Sequence, residues 1–157
     1  MNSNDIYHDF KGYNAAPLAE SEKAIRCRFS ELIQVLIEKI TGCRDRARSM
    51  GRMKMLSETE AVRKRMENLK IEIDSRDRIY VPPYLKEKIS IVDEEKLREI
   101  DYHAAGLMHE CGEIIDGFSC EELDLHIIES LTKLNSNIRE LEKICHERKG
   151  LLLKDRF

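Results

Sequence analysis

Leu131-Thr-Lys-Leu134-Asn-Ser-Asn-Ile138-Arg-Glu-Leu141-Glu-Lys-Ile-Cys145 returns to an apolar side chain after three residues, then four, then three, then four. On an α-helix that rhythm keeps one face apolar along its length, and in water such a face must be buried against a partner. Three more stretches carry the same pattern: Ile25, Phe29, Leu32, Leu36; Val62, Met66, Leu69, Ile73; and Leu97, Ile100, Ala104, Leu107, Cys111, Ile114. Four stripes in one chain imply an all-α fold, an antiparallel helical bundle of about four main helices.

Local signals set the expected boundaries. A first helix over about 19–42 has Glu20 and Glu22 at its positive end and Gly42 as a stop. Ser57 and Glu60 form a capping box for a second helix through about 75, each side chain satisfying an orphan amide of the first turn. Residues 43–56 between them read as a short helix or an extension of the next, interrupted at Gly51. Pro82 and Pro83, within Arg78–Leu85, exclude a helix interior and mark the crossover between halves. Asp93 caps a third helix of about 94–116 that stops at Gly117. Ser119 with Glu122 starts a fourth, about 120–149, ended by Gly150. The chain thus reads as two helical hairpins joined by a Pro-containing crossover.

Residues 1–17 form a polar N-terminal arm, and 18–157 a single helical-bundle domain. Tyr7, Phe10 and Tyr13 recur every third residue of the arm and are expected to drape their rings on the bundle. The apolar tail from Leu151 to Phe157 is expected to pack back on it.

Charged residues make up 36% of the 157, above the usual quarter, and there is no Trp. The opening residues lack a basic segment followed by an apolar one, so no secretory signal is read there. No apolar run approaches the roughly 20 residues that cross a bilayer, so no membrane insertion is expected. Cys27, Cys43, Cys111, Cys120 and Cys145 contain no C-x-x-C pair, which points to a reducing cytoplasm.

The net charge of −3 is unevenly spread. Between Arg44 and Lys70 nine basic residues face four acids, whereas between Glu87 and Ser130 thirteen acids face three bases. Either the basic and acidic helices neutralise each other across the bundle, or a basic surface meets an anionic partner. Under the second reading Arg44, Arg48 and Arg52 form one ridge, with Lys54 and Arg63 beside it and Met50, Met53 and Met55 as adaptable contacts. No aromatic residue interleaves this stretch, so nucleic acid is not the favoured partner.

The other charged constellation is His109-Glu110-Cys-Gly-Glu113-Ile-Ile-Asp116, followed by Glu121-Glu-Leu-Asp124-Leu-His126. Carboxylates gathered at a hairpin end with imidazoles beside them can hold a hard divalent cation. This string resembles the all-α NTP pyrophosphohydrolases of the MazG type, over about 15 residues. The resemblance implies an E-x-x-E motif at Glu110 and Glu113 and a later E-x-x-D motif at Glu121 and Asp124, binding Mg²⁺ and a nucleoside triphosphate; His126, four residues after Glu122, is a further candidate ligand from the hairpin itself. The interval between the motifs is shorter here than in that family. Helix-end electrostatics alone also favour acids at 121 and 122.

No E-x-x-H pair, H-E-x-x-H motif or Gly-rich phosphate loop occurs. The expected function is therefore that of a small cytoplasmic helical interaction protein: an adaptor, regulator or chaperone-like module without catalytic activity or cofactor. Its partner would be a protein or a second copy in a homodimer. Two alternatives accompany it, a Mg- or Mn-dependent pyrophosphohydrolase-like enzyme using the 110–124 hairpin, and a nucleic-acid-binding accessory protein using the basic 44–65 ridge.

Overall fold

The computed structural model describes residues 10, 12–13, 18–75, 91–118 and 124–153. Among them 93% are helical and no strand occurs. Four helices run in order: α1 (Leu18–Ser49), α2 (Met53–Ser75), α3 (Ile91–Asp116) and α4 (Asp124–Leu153). The proline crossover, the Ser119–Glu122 capping box and Phe157 lie outside the described residues.

Helix α1 continues past Gly42 because its apolar seam does, through Cys43 and Ala47, both buried. Gly42 is exposed, and a side chain there would meet nothing. The stop comes at Gly51, whose φ of 68° is the left-handed conformation a helix C-cap requires. The Gly51 amide donates to the Arg48 carbonyl at 3.1 Å and the Arg52 amide to the Ala47 carbonyl at 2.9 Å. That pair of bonds is a Schellman motif. Residues 43–49 therefore belong to α1, and α2 begins at Met53. Ser57 sits inside α2 instead of capping it, and the Glu60 side chain turns to arginines. Helix α3 starts at Ile91, so Asp93 lies in its first turn and does not precede it. At the other end of the chain α4 passes through Gly150, and Leu151 and Leu152 pack against the core.

The helices form a ring in the order α1, α2, α4, α3, because each of these neighbouring pairs packs side by side. Within each hairpin the helices are antiparallel. Arg44 of α1 reaches Glu60 of α2, while Ser30 reaches Asp74. Between hairpins the neighbours run parallel, as Lys39 to Asp116 and Arg65 to Glu142 show. Arg148 meets Asp101 across α3 and α4, at the same end as the starts of α1 and α3.

Each helix buries a continuous seam of alternating four and three steps. The seams include Phe29, Ile33, Leu36 and Ile40 of α1, and Val62, Met66, Leu69 and Ile73 of α2. Helix α4 buries all five residues of the stripe that begins at Leu131. In α3 the buried line is Leu97, Asp101, Ala104, Met108, Cys111 and Ile115, while Ile100, Leu107 and Ile114 are half-buried. The face of α3 is thus rotated slightly from the expected stripe. An acid at 101 occupies a core position, and apolar counting skips it.

Candidate functional site

Helices α1 and α3 part along their C-terminal halves to leave a groove of about 130 Å³. Its floor is Leu32 and Leu36 of α1 with Ala105 and Met108 of α3, and Val35 stands 42% exposed on its lip. Gly112 is buried beside this groove, where a Cβ would sit in ordinary contact at 3.6 Å from Leu36 Cδ2 and 3.9 Å from Lys39 Nζ. Charged pairs line the rim. Lys39 Nζ lies 2.7 Å from Asp116 Oδ2, and His109 Nε2 3.3 Å from Glu113 Oε1. The groove has an apolar floor and a rim carrying both signs, which suits an amphipathic segment better than a small charged substrate.

The opposite end of the bundle holds a buried ionic cluster that the apolar stripes do not announce. Arg148 is 2% exposed and Asp101 fully buried. The Arg148 guanidinium donates from Nε to Asp101 Oδ1 at 2.8 Å, from Nη1 to Glu22 Oε1 at 2.8 Å and from Nη2 to the Tyr13 hydroxyl at 3.2 Å. It also lies 5.6 Å from the centre of the Phe29 ring. Burial disfavours its charge, but Asp101, Tyr13 and Glu22 together hold its pKa well above the ordinary arginine value. Arg26 extends the cluster, donating to both oxygens of Glu22 and to the Ile73 carbonyl at 3.2 Å.

Tyr13 closes this cluster. Its hydroxyl donates to Asp101 Oδ2, and its amide donates to Glu94 Oε1 at 3.0 Å. Burial raises the phenol pKa against the pull of Arg148, and Asp101 adds to the rise, so the proton stays on the phenol. Phe10 packs edge-on against the Tyr13 ring with centroids 4.9 Å apart, and Arg98 lies over Phe10. The arm thus inserts its tyrosine fully where draping was expected. A signal was present: Arg148 is the next step of the α4 rhythm after Leu141 and Cys145, and Glu22 and Arg26 continue the α1 rhythm toward its start. Following the α4 and α1 rhythms regardless of polarity finds Arg148, Arg26 and Glu22, whereas Asp101 lies inside the α3 stripe, where apolar counting passes over it.

The basic residues are drawn to acids of their own hairpin. Arg44 bonds Asp45 and Glu60, and Arg63 bonds Glu60 and Glu67. The bond from Arg63, followed by that from Arg44, holds the Glu60 carboxyl down to about 2. Arg48 is largely exposed, 3.9 Å from Asp45. Arg52 lies in the turn between α1 and α2, and Lys54 is exposed on the first turn of α2. Met50 and Met53 are exposed beside them, whereas Met55 is buried.

Of the acidic candidates, Glu110 accepts from Asn137 Nδ2 at 3.1 Å, and Glu113 faces His109. His126 is exposed near the start of α4. Glu121 and the Asp124 side chain lie outside the described residues. Among the described residues no three His, Cys, Asp or Glu side chains come together as metal ligands do. Cys111 is packed in the core, and burial pushes its thiol up to about 12, the behaviour of an inert cysteine.

Compared with known proteins, the chain matches no protein family, no curated protein and no solved structure.

Proposed function

We propose that the chain is a small, non-catalytic, cytoplasmic interaction protein that takes a segment of a protein partner in the groove between α1 and α3. The groove is the observation that carries this reading. A strip of apolar side chains flanked by Lys39, Asp116, His109 and Glu113 offers burial for an anchor residue and polar groups that fix its orientation. The carboxylates nearest the groove support binding over hydrolysis, because Glu110, Glu113 and Asp116 each have a separate protein partner. Free thiols at Cys27, Cys43, Cys111 and Cys145 fit a reducing compartment. A second copy is one partner that the groove can take.

The test is Val35→Asp. Val35 is half exposed, so the change should leave the melting temperature nearly unaltered while placing an anion on the lip of the apolar floor. Protein recovered from native extract by the wild-type chain should be lost with this variant and retained by an Arg28→Asp control. Light scattering at high concentration separates self-association from a foreign partner. Undiminished recovery and unchanged oligomeric state with Val35→Asp would remove the groove as the interface.

A further inference from the structure

We propose that the occupant of the α1–α3 groove is a second copy of this chain, docked antiparallel along α1 about a two-fold axis at Gly42, so that Met50 of each copy enters the groove of the other. The inference rests on the groove being a docking site and names what docks there.

One face of α1 sets the register. Val35, Lys39, Gly42, Arg46 and Met50 follow one another at steps of four, three, four and four, so they lie on the same side of the helix. Met50 keeps that register although α1 ends at Ser49, because its amide still donates to the Arg46 carbonyl at 3.0 Å. The two large apolar members are both open to solvent, Val35 by 42% and Met50 by 50%. They stand about 22 Å apart along the helix, at a rise of about 1.5 Å per residue. Gly42 lies seven residues after Val35 and eight before Met50. An antiparallel copy turned about an axis at Gly42 therefore brings its Met50 to Val35. The exchange is reciprocal, as a two-fold interface requires.

The two ends of this face are complementary. The groove end has its apolar floor, with the exposed acids Glu38, Glu113 and Asp116 outnumbering Lys39 around it. The other end carries an adaptable thioether beside bases: from Arg46 to Ser57 the chain has four bases and no acid. Antiparallel docking sets the basic end of each copy against the acidic end of the other, whereas parallel docking would set like against like. At the centre Gly42 has no side chain to hold the two helices apart, and a Cβ there would meet nothing in its own copy. The groove of one copy is thus completed by a residue of the next, and one contact covers both exposed apolar side chains.

Sedimentation of the full chain tests this. The wild type should run as a dimer at high concentration, while Val35→Asp and Met50→Lys should each run as monomers with unchanged circular dichroism. Mixed in equal amounts, the two variants should form a dimer again. One contact is then wild-type, and the other pairs the introduced carboxylate with the introduced ammonium. Gly42→Arg, which sets two cations against each other at the axis, should be monomeric. A second reading needs no disruptive change: in a Cys27→Ser background, Gly42→Cys should form a disulfide-linked dimer under mild oxidation, and Lys133→Cys on the exposed face of α4 should not. A wild type that stays monomeric overturns the proposal. It leaves the groove reading intact, since that reading is decided by recovery of a foreign partner with Val35→Asp. A dimer that survives Met50→Lys and Gly42→Arg, a mixture that stays monomeric, or cross-linking at 42 no better than at 133 would place the contact elsewhere and overturn it equally.

Discussion

Tyr13 and Arg148 show how a few buried polar atoms fix one end of the bundle. Removing the phenol oxygen by Tyr13→Phe leaves the ring in place but takes a partner from both Asp101 and Arg148. An unsatisfied buried group costs about 1–3 kcal/mol. Urea unfolding should therefore place Tyr13→Phe roughly that far below wild type, with the denaturant slope unchanged. Arg148→Met should cost more, about 3–5 kcal/mol, because it removes the cation paired with the buried Asp101 carboxylate. Replacing both, Arg148→Met with Asp101→Leu, should recover part of the loss, since the desolvated charge is then gone. If the double variant is as unstable as the sum of the singles, the pair is not coupled and its close geometry has no energetic weight. Both residues were visible in the sequence as letters but not as a site. Each occupies a seam position, and a reading that counts only apolar residues passes over a charge there.

At the scale of the helix, the sequence made periodicity legible, and with it the ends of α2 at Ser75 and α3 at Asp116, but not the ends of α1 and α4. The stripes of α2 and α4 are buried as expected, because nothing competes with an apolar seam of regular step. The stop expected at Gly42 fails for a physical reason: the apolar seam runs on through Cys43 and Ala47, and the backbone takes the positive φ of a C-cap at Gly51. Likewise Ser57 and Glu60 match a capping box, yet Arg44 and Arg63 offer Glu60 a charged partner that a backbone amide does not equal. The glycines give a direct check on this distinction. Gly106 lies inside α3 with open space where a Cβ would go. Gly106→Ala should raise stability by about 0.5–1 kcal/mol through helix propensity alone. Gly12 has φ 112°, and a Cβ there would fall 2.8 Å from Arg98 Nη2 and 2.9 Å from Glu94 Oε1. Gly12→Ala should lower the melting temperature, and it should do so by loosening the arm. Thermal melts of the two variants showing the same sign would refute this division between helical and arm glycines.

Across the whole molecule the uneven charge resolves mainly within hairpins. The two explanations open to the sequence were pairing between basic and acidic helices or an exposed basic surface, and the arrangement is neither in full. Arg65 does cross to Glu142 of α4, but Arg44 and Arg63 converge on Glu60 in their own hairpin, and Arg48 stays in solvent. Charge totals along a chain cannot reveal this, because one well-placed acid neutralises two bases that lie far apart in sequence. The ridge therefore divides into a structural part and a solvent-facing part, and acid titration separates them. Glu60 is held at about 2 against an ordinary value of 4.5, so its contribution to stability is present above pH 4.5 and lost as the pH falls through 2. Arg44→Glu removes one of its two cations and sets a like charge beside it, so this variant should melt lower than wild type at pH 7. The gap should narrow between pH 4.5 and 2, as the carboxylates involved take up protons. Arg48→Glu should follow the wild-type curve across that range, since it faces an exposed Asp45 at 3.9 Å and such pairs contribute little. Equal losses at pH 7 for both variants would mean that the ridge is stabilised as a unit, and the division at Arg44 would fall.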